Sequence, residues 1–294
     1  MTPENVNIAH PDKLFIGGEW VKPQSNASIE VVNPASEEVT ARVAHAGNRD
    51  MDAAVAAARD AFDNGPWPRL SPQERQAKLM EMVDYLETRV PELAAAWTAQ
   101  VGGLASAAGP MHAGGVAGLR GIASLGERFA WTEQRPGMAV DTVTVVREPV
   151  GVVVAIAPWN GPFAIMANKA FYALIAGCTV VMKPSPETPL EAYIIAEAAE
   201  AVGMPAGTVN LVPSGREAAD HLIHSTHIDK ITFTGSTAAG KHIASVAGGN
   251  MVRATFELGG KSAAIVRDDF PIDAAANILG NTITVMSGQV CAML

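Results

Sequence analysis

The chain has 294 residues, 48% of them hydrophobic and 17% charged, with a formal net charge of −9. That length suits about two domains at ~100–200 residues each, and the composition is that of a folded chain rather than a disordered one. The acidic balance, without a Lys/Arg block, argues against a nucleic-acid partner, and Pro, Gly or charge breaks every apolar run before the ~18 residues a membrane-spanning helix needs.

The N-terminal stretch "MTPENVNIAHPDK" lacks the basic-then-apolar pattern of a secretory signal. Two cysteines, Cys178 and Cys291, give no disulfide framework and suit a reducing cytoplasm. The first fifty residues read as strands and turns, with "KLFIGGEWVKP" a hairpin turning at Gly17-Gly18. A helix follows from Asp50, with Gly65 just past its end. Ser71 caps a second helix, with Pro72 in its first turn and Glu74 three residues on.

Residues 102–121 hold seven glycines in twenty positions. Each interior glycine costs a helix about 1 kcal/mol against alanine, so a loose helix or a loop is expected there. "MAVDTVTVVREPVG" (138–151) alternates β-branched and polar residues and predicts an exposed antiparallel strand. From Val150 the pattern changes. Apolar strands ("VGVVVAIAP", "CTVVMKP", "GTVNLVP", "DKITFTG", "MVRATFELGG") alternate with helices of ten to fifteen residues. That alternation predicts βαβ units and an α/β fold with a parallel sheet covered on both faces.

Ligands of such sheets bind beyond the carboxyl ends of the strands. Five rim segments follow the five strands: "PWNGP", "KPSPETP", "PSG", "TGSTAAGK" and "ELGGK". In the fourth, Gly235 and Ser236 open a helix whose N-terminal amides favour a phosphate. Gly235, Gly240 and Lys241 also have the spacing of a triphosphatase phosphate loop, but His242 stands where Ser or Thr should hold magnesium. An ordinary strand-to-helix turn is the plainer reading. Lys183 reaches the rim directly after "CTVVM", as a solvated lysine or as a donor to ribose or phosphate. Cys291 follows the small residues Ser287 and Gly288, either as a small apolar filler or as a nucleophile with a neighbouring base. Cys178 begins a buried strand and reads as filler. Glu257 ends an apolar run; partly desolvated, it suits a general base, and otherwise it is an exposed turn residue. Asn160 either caps the next helix or donates to an oxyanion. His221, His224 and His227, three apart near a helix end, read as a solvated face rather than a metal site.

"PWN", "KPSPETP", "FTGSTAAGK", "FELGGK" and "GQVC", in this order and spacing, resemble the aldehyde dehydrogenase superfamily. The resemblance runs through nearly the whole chain, including "LFIGGEW" and "NPASEEV". It implies a Rossmann-like cofactor domain, a β extension used for oligomerisation, and an α/β catalytic domain truncated just after its cysteine. Residues 1–129 and 150–260 would form the NAD(P)-binding domain, 130–149 the extension, and 261–294 the start of the catalytic domain. It further implies that Cys291 attacks an aldehyde and that Asn160 and the Cys291 amide hold the oxyanion. Glu257 would then activate water, and Lys169 matches a lysine common in these sites. Lys183 is implied at the adenosine ribose, Ser185 in the same cofactor site, Gly235 and Ser236 at the pyrophosphate, and Leu258 at the nicotinamide. Ile156, Pro158, Trp159, Gly215, Phe233, Thr234 and Gly259 line the same cofactor site by resemblance.

NAD is the first expectation, with NADP left open, because the position three after Lys183 is Pro186 and Glu187 comes one later. No metal is expected. The partner is a small aldehyde, with homo-oligomers in full-length relatives. The chain departs from the family in ending three residues after Cys291. It also lacks the E-x-F-G-P motif, has Met286 near the place of an asparagine, and reads Gln100-Val101-Gly102-Gly103 for E-x-G-K. From these departures Cys291 is expected on a fraying terminus amid uncovered apolar surface. The alternative of a different class is an inactive nucleotide-binding or interaction protein of the same fold.

Overall fold

Apolar β-branched runs separated by helices with glycine at their ends dictate the architecture. The computed structural model describes residues 6–293. Residues 1–5, part of the stretch read for a secretory signal, and Leu294 lie outside them. The strands are β1 Leu14–Ile16, β2 Glu19–Val21, β3 Ser28–Val32, β4 Val39–Ala44, β5 Thr132–Pro136 and β6 Thr142–Val146. Then come β7 Val152–Ile156, β8 Thr179–Lys183, β9 Val209–Leu211, β10 Lys230–Thr234 and β11 Arg253–Glu257. The helices are α1 Asn48–Asp63, α2 Pro72–Thr88, α3 Val90–Val101, α4 Ala105–Ala123 and α5 Leu125–Arg128. They continue as α6 Pro162–Ile175, α7 Leu190–Ala201, α8 Arg216–Ile223, α9 Thr237–Gly249 and α10 Ile272–Ile283.

The main sheet has the order β11-β10-β7-β8-β9-β1-β2. Its five central-to-edge strands β7 to β11 are all parallel, as the βαβ pattern predicts. The N-terminal hairpin forms as expected at Gly17-Gly18, both with positive φ, but it also joins this sheet antiparallel to β9 through Phe15 and Leu211. The sheet is therefore mixed, not purely parallel. The hairpin is drawn in because Leu14 and Phe15 bury on opposite faces, one in each core.

Alternation along the strands splits the core in two. Val153, Ala155, Val180 and Met182 face α2, α4, α6 and α7, while Val152, Val154, Ile156 and Val181 face α1, α8 and α9. Strands β7 and β8 are buried along their whole length, as expected for a sheet covered on both faces. Strand β11 departs from that expectation. It is an edge strand and mostly exposed.

Three local departures have identifiable causes. The glycine-rich stretch is a regular helix, α4, because Ala108, His112, Val116, Leu119 and Ile122 recur at helical spacing and bury one stripe. Most of its glycines lie on the outer face, where propensity alone opposes the helix. The helix begun at Ser71 has the predicted capping box, Ser71 with Glu74, but breaks at Arg89. It restarts as α3 with a proline in its first turn. The strand expected over 138–151 is confined to β6 and pairs antiparallel with β5, which sequence reading did not identify. Both strands are largely exposed. Among the described residues no helix is long and apolar enough to cross a membrane.

Gly114 and Gly118 lie exposed in α4 with no atom near an added Cβ. Each of Gly114→Ala and Gly118→Ala is expected to raise stability by about 0.4–1 kcal/mol. Urea denaturation checks this; a lower midpoint for both would contradict the helix.

Candidate active site

The parallel strands succeed one another outward from β7 to β9, then the chain returns to place β10 on the other side of β7. This is a topological switch point, where a crevice opens at the carboxyl ends of the strands. Four strand ends and the C-terminal segment converge there on a cleft of about 560 Å³. Strand β7 brings Ile156, Pro158, Trp159 and Asn160, and β8 brings Lys183 and Ser185. Strand β10 brings Phe233, Thr234, Gly235 and Ser236. Strand β11, in register so that Glu257 pairs with Thr234, brings Glu257, Leu258 and Gly259. Cys291 faces the same cleft.

One residue expected in the site lies elsewhere. Gly215 does not line the cleft; it precedes α8, and its N–H donates to His45 Nε2 at 3.1 Å. Lys169, on α6, lies in a neighbouring cavity of about 770 Å³ that Glu257 and Cys291 also border. Its ammonium donates to Thr232 Oγ1 at 2.9 Å. Burial pushes the Lys169 pKa down to about 8, against the opposing pull of the Glu257 carboxylate. Burial likewise lowers Lys183 to about 8, with Glu187 pulling the other way. Glu257 itself is exposed on the edge strand, so the desolvation expected from sequence is not present.

The segment carrying Cys291 is anchored rather than frayed. The Asn160 side-chain amide donates to the Gln289 carbonyl at 2.7 Å. Lys261 donates to the carbonyls of Gly288 and Val290, at 3.1 and 2.8 Å. Ser262 donates through its hydroxyl to Ala292 and through its N–H to Met293. Met286, Ser287 and Gly288 run in left-handed conformation, a tight reversal that non-glycine residues adopt at a cost. Cys178 is buried, as the sequence predicts, and Cys291 is exposed, which decides between its two readings against the apolar filler. The apolar residues Ile272, Ile278 and Ile283 of α10 are exposed, which matches the uncovered surface expected there.

The phosphate-loop spacing has a packing explanation. A Cβ on Gly240 would meet Leu258 at 2.5 Å, so the second glycine lets Leu258 lie against α9. Ser236 caps α9 by accepting from the Ala239 N–H at 3.2 Å. His242 pairs with Asp220 at 2.5 Å. Beside the cleft, a slot of about 380 Å³ runs between α8 and α9, with Ile223, Phe233 and Ile243 among its apolar walls. Lys183, Ser185, Glu187, Arg216, Asp220 and His242 also line it. Arg216, Asp220 and His242 were missed by sequence reading, because nothing in a helical repeat marks which polar residues reach the rim. Glu187 accepts a hydrogen bond from Ser185. Two of the three histidines near the end of α8 bond different partners: His221 bonds Asp52 and His224 bonds the Asp220 carbonyl.

The Aldehyde dehydrogenase family profile matches residues 20–294. A geranial dehydrogenase from Castellaniella defragrans is 41% identical over 95% of this chain and 58% of its own length. An NADP/NAD-dependent aldehyde dehydrogenase, PuuC, from Escherichia coli is 36% identical over 97% of this chain and 58% of its own length. Among solved structures, an aldehyde dehydrogenase from Mycobacterium tuberculosis complexed with NAD+ superimposes with a TM-score of 0.92 at 42% identity. That match covers 97% of this chain and 59% of that one. The chain thus spans under three fifths of the length of the relatives it matches.

A folded-state lysine value below the ordinary 10.5 has a defined sign. The cost of holding the Lys169 ammonium is fully present below pH 8 and fades as pH rises towards 10.5. Titration of reductively ¹³C-methylated protein by NMR is expected to show Lys169 and Lys183 with midpoints of about 8. Glu257→Gln is expected to lower the Lys169 midpoint further. Values near 10.5 for both would contradict their burial.

Proposed function

The chain belongs to the aldehyde dehydrogenase family, and from that premise we propose that it carries the cofactor site and nucleophile for NAD-dependent oxidation of an aldehyde to a carboxylic acid. The observation that carries this reading is the convergence of Cys291, Asn160 and Glu257 on one cleft at the switch point of the sheet. The residues present fit a dinucleotide. The capped N-terminus of α9 at Gly235 and Ser236 suits a pyrophosphate. The apolar slot between α8 and α9 suits a planar base, and Lys183, Ser185 and Glu187 at its edge suit a ribose. The Glu187 carboxylate beside Lys183 favours NAD over a cofactor bearing a 2′-phosphate. NAD+ is present in the M. tuberculosis structure. When bound, it supplies the hydride acceptor.

The chain's own residues account for the remaining chemistry. The Cys291 thiolate adds to the aldehyde carbon, and the carbonyl electron pair moves onto oxygen. The Asn160 amide has two N–H groups, one of which holds Gln289 and so places the donor beside the nucleophile segment. The second N–H, with the Cys291 backbone N–H, suits the oxyanion. Loss of hydride from the tetrahedral carbon leaves a thioester on Cys291. Glu257 takes a proton from water, which attacks the thioester, expels the thiolate and gives the acid. Lys169 donates to Thr232 Oγ1 within the charge field of the Glu257 carboxylate, and burial brings its pKa down to about 8.

We assign residues 1–129 with 150–260 to the cofactor domain and 261–294 to the start of a catalytic domain. The exposed hairpin β5–β6, within 130–149, is assigned as an oligomerisation extension.

NAD is expected to raise the melting temperature more than ATP with magnesium does. Purified protein with NAD and an aldehyde panel is expected to gain absorbance at the reduced-cofactor wavelength, and Cys291→Ala to abolish the gain. Stable NAD binding without turnover would instead favour an inactive nucleotide-binding protein of this fold.

A further inference from the structure

The core between α3, α4, α6 and α7 contains a polar cluster that the chemistry above does not use. His112 of α4 and Glu191 of α7 are 2% and 0% exposed, with Nε2 and Oε1 2.6 Å apart. His112 Nδ1 lies 2.7 Å from the Ala108 carbonyl, which can only accept, so Nδ1 carries a proton. The contact with Glu191 therefore holds one further proton between imidazole and carboxylate. Burial pushes the Glu191 carboxyl up. Burial alone would push His112 down, but the hydrogen bond and charge of Glu191 hold it above its ordinary value. Both directions mean that the pair keeps its shared proton. Gln100 of α3 completes the cluster. Its Nε2 donates to Glu191 Oε2 and its Oε1 accepts from the Leu190 N–H, both at 3.1 Å.

Three contacts lead from this cluster to the cleft. Phe163 stands in the first turn of α6, directly after the turn that carries Asn160. The His112 ring lies 5.7 Å from the Phe163 ring. Trp97 lies 6.1 Å from His112 and directs its indole N–H at the Asn160 carbonyl, 3.5 Å away. Trp97 also packs in one apolar cluster with Met286, on the segment that leads to Cys291.

A buried ion pair is a weak source of stability, since well-packed apolar replacements are commonly neutral or stabilising. This one packs against a turn instead, through the His112 ring on Phe163. We propose that the His112–Glu191 pair is a positioning device: it fixes the Asn160–Phe163 turn, and with it the Asn160 amide, against the segment that bears Cys291. The purpose of that fixing rests on the role proposed for Asn160.

The test uses the full chain and two kinds of variant. His112→Leu/Glu191→Met replaces the pair with apolar groups of similar volume. Glu191→Gln keeps the hydrogen bonds within the cluster, with its nitrogen towards a neutral His112 Nε2 and its oxygen towards Gln100. Backbone hydrogen exchange is the primary readout because it needs no turnover. In the double variant the amides of Gly161, Phe163 and Ala164 are expected to exchange at least about tenfold faster, with β7 and β8 unchanged. Glu191→Gln is expected to stay within about twofold of the parent. In turnover, kcat of the double variant is expected to fall about tenfold or more at unchanged NAD affinity. That fall is expected to vanish in an Asn160→Ala background. Unchanged exchange at the turn, or acceleration spread evenly through the sheet, overturns the proposal. If the double variant does not fold, Glu191→Met alone, which leaves a neutral imidazole and no buried charge, is read by the same two criteria. Absence of Cys291-dependent turnover in the parent sinks the proposed chemistry but leaves exchange to decide the positioning.

Discussion

The hydrogen bond from the Asn160 amide to the Gln289 carbonyl joins residues 129 positions apart. One end belongs to the turn that follows the first parallel strand, the other to the segment that carries Cys291. That bond ties the Cys291 segment to the rim of strand ends around the cleft. Lys261 and Ser262 reinforce it from the β11 side, so the cysteine segment is held from two strands at once. The left-handed run at 286–288 supplies the reversal that brings the segment back.

The same principle, backbone held close by an absent side chain or an added acceptor, recurs elsewhere in the sheet. Gly240 gives Leu258 its seat against α9. Asp229 accepts from the Val152 N–H at the start of β7 and pairs with Arg59 on α1. That carboxylate ties the first parallel strand to the helix layer behind it. Thus the candidate site lies at the carboxyl ends of the strands, while Asp229 ties down the amino end of β7.

Much of the fold was legible from local pattern. The five strands of the parallel sheet, the helices between them, the capping box at Ser71 and the hairpin at Gly17-Gly18 all follow from periodicity and end signals. The glycine-rich α4 was not, because its helix comes from a buried stripe whose partners lie on α2, α3 and α6. Exposure on β11 was not legible either. Whether an apolar run has one neighbour or two depends on its place in the sheet, and β11 ends it.

For the candidate site, sequence alone determined which residue types sit at the strand ends, because strand-end positions follow directly from the period of the pattern. Asn160, Glu257, Lys183, Gly235 and Ser236 were identifiable in that way, Cys291 by the small residues before it, and their family by their order. Tertiary structure decided what each one touches. It engaged Gly215 with His45, set Lys169 in a second cavity and left Glu257 exposed. It also buried His112 against Glu191, 79 positions away. Burial, and the electrostatics that burial creates, depend on neighbours from distant parts of the chain. No local pattern contains them.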